Sequence, residues 1–150
     1  VHTVGGCAAL VGTMMLRPPI GKYNPDGSAN IIAGHNIPLA SLGVFILWFG
    51  WFGFNPGSTL AVGDGVLIGR IALNTNLAAA MGGIAALITV WIIFGKPDLS
   101  MAMNGALAGL VAITAGCAYV EPWASLIIGL IAGVVVIGGV IVLDVLKEVI

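Results

Sequence analysis

Charge is the scarcest property of this chain: 150 residues hold five Lys or Arg and six Asp or Glu, for a formal net charge of −1. Without a basic cluster there is no electrostatic footprint for a polyanion, which excludes nucleic acid, and nothing marks capture of anionic lipid headgroups. Cysteine is rarer still. Cys7 and Cys117 stand far apart in apolar stretches with no Cys-x-x-Cys or Cys/His spacing, so both read as small packing residues rather than disulfide or metal partners. A nucleophile triad, a metal cluster and a phosphate loop are also missing, and the chain reads as a non-enzyme with no cofactor and no metal. The opening VHTVGG lacks the basic n-region of a secretory leader.

What remains is apolar. Hydrophobic residues make up 59% of the chain and its mean hydropathy is +1.13, values that belong to membrane proteins. The expected fold is all-α: a polytopic membrane helix bundle forming one transmembrane domain over 1–150, with helices near 1–17, 36–55, 66–95, 100–119 and 123–146. About four of these would be full spans at about 20 residues each, and the first is truncated. His2 precedes Arg17 by about 22 Å of helix, which would start the chain inside the bilayer. The sequence therefore reads as a fragment, with further helices expected before Val1 and after Ile150.

The stretch 36–58, NIPLASLGVFILWFGWFGFNPGS, carries the most information. It has no charged side chain, a capping Asn36, Pro38 in the first turn where no amide is needed, and a stop at Pro56-Gly57. Trp51, Phe54 and Ser58 stand three and four apart, so a helix that persists this far puts two rings and a hydroxyl on one face. That is either an aromatic lid beneath a polar rim or an interfacial belt marking membrane depth. Trp48, Phe45, Phe49 and Phe52 read as packing or lipid contact.

Elsewhere, His2 shares a stripe with Gly5, Gly6, Ala9 and Thr13, smooth enough for another helix to approach. An intramembrane histidine is either a functional group or a donor to a helix carbonyl. Residues 17–35 form an aqueous loop that ends with His35 at a helix entry. Asn74, Thr75 and Asn76 suggest an interfacial start to the third helix, with Asp64 and Arg70 able to pair. Gly105/Gly109 and Gly129/Gly133 are GxxxG faces for close helix packing. Asn104 and Thr114 read as interhelical hydrogen bonders or as ligands, and Asp144 as a solvated interface carboxylate. Arg17, Lys22, Lys96 and Lys147 fall on one side of the bundle and Arg70 on the other. The positive-inside rule makes loops 17–35 and 95–100 cytoplasmic, so that 36–58 runs outward.

Together these stretches resemble the ammonium transporter family of bacterial and plant transporters, yeast permeases and Rhesus proteins. VHTVGG is similar to the surroundings of the family's first pore histidine. HNIPLASLGVFILWFGWFGFNPGS resembles its sixth helix, and its FNPGS ending resembles the transporter branch more than the Rhesus branch. NTNLAAAMGG, GKPDLSMAMNGALAGLVAITAGCAYV and the Gly-rich helix after them resemble helices seven to nine.

That resemblance implies ammonium recruitment at Ser58, a gate ring at Phe54, a pore wall at Trp51 and the first of twin pore histidines at His2. Asn104 and Thr114 would lie near the pore. It implies ammonium or ammonia as substrate, with methylammonium as an analogue. It also implies a multi-pass protein of the inner or plasma membrane, a homotrimer when intact, and a cytoplasmic PII-type regulator as a partner. The second histidine and second gate ring would come from other helices, so the fragment alone is expected to be inactive. A sensor using the same site, a Rhesus-like gas channel and a membrane enzyme using His2 for proton transfer are the competing readings.

Overall fold

The computed structural model describes residues 1–30, 32 and 34–145; Lys147, one of the cations in the sidedness argument, lies outside the described residues. Its elements are α1 (His2–Leu16), α2 (Ile37–Phe54), a 3-10 turn at Pro56–Thr59, α3 (Gly65–Phe94), α4 (Leu99–Ile113) and α5 (Pro122–Val145). The fold is all-α: among the described residues extended pairing is confined to one isolated bridge, Tyr23 with Ala29. Contacts divide the chain into two compact units, one comprising Val1–His35 with the chain from Gly139 onward, the other Asn36–Gly138.

Local chemistry sets the helix ends. Asn36 Oδ1 accepts from the Leu39 amide at 2.9 Å, Asp64 Oδ1 from Leu67 at 3.0 Å and Asp98 Oδ1 from Met101 at 3.1 Å, each satisfying an amide with no partner inside its helix. The α3 helix stops at Gly95, whose φ of +74° a side chain would resist. Arg17 closes α1 at φ +64°, held out of the right-handed helical region by Pro18 behind it.

Among the described residues, three helices are long and apolar enough to cross a membrane: Ile37–Thr59, Gly65–Phe94 and Pro122–Val145. No residue of α2 is buried, and Phe45 and Phe49 are 65% and 79% exposed, an apolar surface suited to hydrocarbon and unsuited to water. Helix α4 is shorter, at 15 residues, where the sequence pattern predicts a helix to 119. Over 114–119 the chain tightens into turns, with the amides of Gly116 and Tyr119 donating to Ile113 and Gly116 at 3.0 and 2.8 Å. Asn74 explains how this end survives inside the bundle: its Nδ2 donates to the freed carbonyls of Cys117 and Val120 at 2.9 Å each.

Within the second unit α3 is the spine. A Cβ built on Gly109 would overlap the Ala78 carbonyl and lie 3.1 Å from the Ala79 Cα, and one on Gly105 would collide with Gly82 and Ala86. On α5, a Cβ on Gly129 would strike Ala78, and one on Gly133 would strike Gly82 and Ala85. Both GxxxG faces therefore dock on one small-residue run, 78–86, with α4 antiparallel and α5 parallel to α3. The parallel pair requires the segment between them to travel back along α3, so α4 with its turns crosses despite its length.

Several expectations are corrected here. The carboxylate of Asp64 is used by its cap, and six residues put Arg70 about 240° around the helix, so these two do not pair. Arg70 instead meets Glu121 at 2.5 Å and the Val120 carbonyl at 3.1 Å. At the start of α3, Ile71, Asn74 and Thr75 are buried against neighbouring helices. In the first unit Asp144 keeps a 44% exposed side chain, consistent with a solvated carboxylate, and also meets Lys22 Nζ at 3.0 Å, which places loop 17–35 and the end of α5 on the same side. The small face of α1 stays open: a Cβ on Gly5 or Gly6 meets nothing within 4 Å among the described residues.

Gly109→Val in the full-length protein is expected to cost about 2–3 kcal/mol through overpacking, read from thermal unfolding in detergent. Gly138→Ala, at a site where a Cβ meets nothing within 4 Å, should leave the transition unchanged or raised. Asp98 offers a pH test. The Ser100 hydroxyl, then the Met101 amide, hold its carboxyl below 3.8, so its contribution is present above that value and is lost as pH falls through the lowered folded value. The stability gap between wild type and Asp98→Asn should therefore narrow in an acid titration, and a constant gap would refute the assignment.

Candidate functional site at the end of α2

The aromatic end of α2 is held to other helices at two points. Trp51 and Asn55 are four apart on one face, and each donates a side-chain hydrogen bond to a threonine on a different helix. Trp51 Nε1 reaches Thr114 Oγ1 at 2.9 Å, where α4 gives way to its turns. Asn55 Nδ2 reaches Thr75 Oγ1 on α3 at 3.0 Å. Each threonine proton is already committed to the carbonyl one turn back, Thr114 to Leu110 and Thr75 to Ile71, both at 2.7 Å. Toward α2 their oxygens can therefore only accept.

Between these anchors lies Phe54, 40% exposed, with its ring at 77° to Trp51 and 6.0 Å between centroids. This edge-to-face arrangement is the one the ring quadrupoles favour. Asn55 then changes the backbone: it is the last right-handed helical residue of α2, and its carbonyl accepts from the Ser58 amide at 3.1 Å to open the Pro56–Thr59 turn. The side chain of Ser58 donates back to the Phe54 carbonyl. With its proton used inside the turn, Ser58 Oγ presents only lone pairs to whatever approaches its exposed side. A hydroxyl fixed in that way, four residues along the chain from Phe54, suits a small ligand that carries positive charge and donates hydrogen bonds.

Of the residues expected at the site, the second unit brings together Trp51, Phe54, Ser58 and Thr114. Asn104 is exposed on α4, about 15 Å of helix rise from Thr114, so the two stand at different depths. His2 belongs to the first unit, half-buried in the opening turn of α1. Sequence reasoning missed Asn55 and Thr75 as partners. The available signal was Asn55 at the end of one apolar run and the polar stretch Asn74-Thr75-Asn76 within another, where lipid offers them no water. Among the described residues no group of His, Cys, Asp and Glu could hold a metal.

An all-helical fold with three helices, among the described residues, long and apolar enough to cross a membrane defines the class of integral membrane proteins. The family model described as Ammonium Transporter Family matches residues 1–149, and the chain belongs to that family. Ammonium transporter Amt2 of Archaeoglobus fulgidus is 56% identical over 133 residues, covering 89% of this chain and 28% of that protein. A solved structure titled Sensor Amt Protein superposes with a TM-score of 0.92 at 48% identity, over 99% of this chain and 36% of its own. Mep2 of Candida albicans gives 0.78 at 30% identity, over 93% and 31%. The chain thus spans about a third of the length of the relatives it matches.

Thr114→Val keeps the side-chain volume and leaves the Trp51 indole N–H without its acceptor. The full-length variant is expected to lose about 1–3 kcal/mol of stability in detergent unfolding. An unaltered transition would show that this bond does not hold the aromatic end of α2.

Proposed function

We propose that the intact protein transports ammonium or ammonia across a cell membrane, recruiting the cation at Ser58 and Phe54 and passing it on without its charge. The observation that carries this reading is the Ser58 hydroxyl, whose proton goes to the Phe54 carbonyl so that only its lone pairs are left to offer, on the turn that follows the Trp51–Phe54 ring pair. Membership of the Ammonium Transporter Family supplies the substrate class.

The physical problem is desolvation. Placing an ion of this size in a low-dielectric interior has an idealised cost of order 20 kcal/mol, while cation–π attraction returns about 0.5–2 kcal/mol per ring. Ser58 and the rings therefore gather the ion at the entrance and leave most of that barrier standing. Removing a proton lifts it, since neutral ammonia has no Born cost. His2 is the assigned acceptor: imidazole can take a proton at one nitrogen and donate from the other. Its assignment rests on the resemblance of VHTVGG to the family's first pore histidine. Trp51 lines the wall beside the constriction, with its N–H consumed by Thr114, so that its ring rather than a donor borders the path. Asn104 is assigned a place along the same pore by resemblance. Potassium offers no hydrogen and no proton to lose, and a site that works by deprotonation rejects it.

Sidedness is assigned within the second unit by the positive-inside rule: Lys96 marks the cytoplasmic end of α3 and Arg70, paired with Glu121, the outer end, so Ser58 faces outward. The proposed assembly is a homotrimer with a PII-type cytoplasmic regulator. Sensing through the same site is the second reading, favoured by the 0.92 superposition on the structure titled Sensor Amt Protein. A signalling domain beyond Ile150 in the full-length protein would favour it.

Methylammonium uptake by the full-length protein tests the proposal. Ser58→Ala is expected to raise the half-saturating concentration about tenfold, the worth of one hydrogen bond to a charged group, and His2→Ala to abolish or alter the conducted species. Uptake by His2→Ala that matches wild type in rate and in selectivity over potassium would reject the relay.

A further inference from the structure

We infer that Thr75, acting through Asn55, is a positioning residue for the cation entrance: it fixes the backbone turn from which Phe54 and Ser58 project. This rests on the reading of that end of α2 as the recruitment site.

Asn55 is the point where the chain passes from α-helix to the Pro56–Thr59 turn, and both its backbone hydrogen bonds bear on that change. Its amide donates to the Trp51 carbonyl at 2.8 Å, closing the helix, and its carbonyl accepts from the Ser58 amide at 3.1 Å, opening the turn. Only the side chain ties this junction to another element, through Nδ2 to Thr75 Oγ1. Both partners are sealed from solvent, Asn55 at 4% exposure and Thr75 at 0%. An amide in such a place has no water to turn to, so the bond is kept.

Direction matters as much as distance. Because the Thr75 proton goes to the Ile71 carbonyl, the threonine can only accept, and Asn55 must turn its NH2 toward α3. The amide orientation is thereby set by a residue twenty positions away that touches neither Phe54 nor Ser58 in any bond described above. Thr75 sits on the helix packed hardest into the bundle, where α4 and α5 both close on the 78–86 run just beyond it. Phe54 and Ser58 flank Asn55 at one residue before and three after. Rotation at Asn55 would swing the ring and the hydroxyl relative to each other, and the rigid spine of the bundle suppresses that rotation through a single acceptor.

The test uses the full-length protein in membranes, with methylammonium uptake as readout. Thr75→Val conserves volume and removes the acceptor; it should raise the half-saturating concentration about five- to tenfold, the scale of one buried hydrogen bond. Thr75→Ser restores the acceptor and should bring the value back to within about twofold of wild type on the same scale. Combined with Ser58→Ala, the valine variant should add less than the product of the two single effects, since both act on one contact. An unchanged half-saturating concentration, a fall in maximal rate alone, or fully multiplicative effects would overturn the inference. If Thr75→Val does not accumulate, Thr75→Ala is read in the same way, and failure of both assigns Thr75 to folding and also overturns it. Wild-type protein without saturable uptake defeats the transport reading, and this inference falls with it; normal wild-type uptake with an indifferent Thr75→Val defeats the inference alone.

Discussion

Inside a helix bundle that faces hydrocarbon, a hydrogen-bonding group that leaves its helix must find a partner in protein, because no water is there to take over. That constraint organises the second unit. Thr75 and Thr114 return their protons to their own helices and offer one acceptor each to α2. Asn74 spends both amide protons on carbonyls released where α4 unwinds. Polar side chains in these spans act as fixed joints between helices, and the joints coincide with places where regular helix ends.

A second constraint makes the joints possible. Lipid tails are as apolar as leucine, so helices associate through close backbone contact rather than by escape from water. The run AAAMGGIAA in α3 accepts Gly105 and Gly109 from one side and Gly129 and Gly133 from the other, at separations that leave no room for a methyl group. Drawing three backbones together at that level brings Asn74 within reach of the carbonyls of Cys117 and Val120. Glycine packing and polar capping are thus one device: the first supplies proximity and the second gives the register.

Against that rigid background the end of α2 is an exposed working edge. The helix buries no residue of its own, yet its last turn is tied to α3 through Asn55 and to the end of α4 through Trp51. Phe54 sits between the ties with part of its ring accessible, and Ser58 follows with its proton turned inward. An entrance for a cation needs lone pairs and ring faces held still, since attraction of a few kcal/mol is easily lost to side-chain motion. Anchoring on both flanks while leaving the middle open meets that need.

The primary sequence determined the membrane class, the α2 span with its Asn36 cap and Pro56 stop, the two GxxxG faces and the cluster of Trp51, Phe54 and Ser58, because composition, proline, glycine and helical spacing act locally. Those signals need only a residue and its near neighbours. Tertiary structure alone decided that both glycine faces close on the same helix, that Arg70 pairs with Glu121 rather than Asp64, and that α4 unwinds after Ile113. It also decided that Asn55 and Thr75, twenty residues apart, bond to each other. Hydrogen bonds over twenty to sixty residues depend on how helices cross, and crossing geometry is a property of the packed bundle that no local pattern encodes.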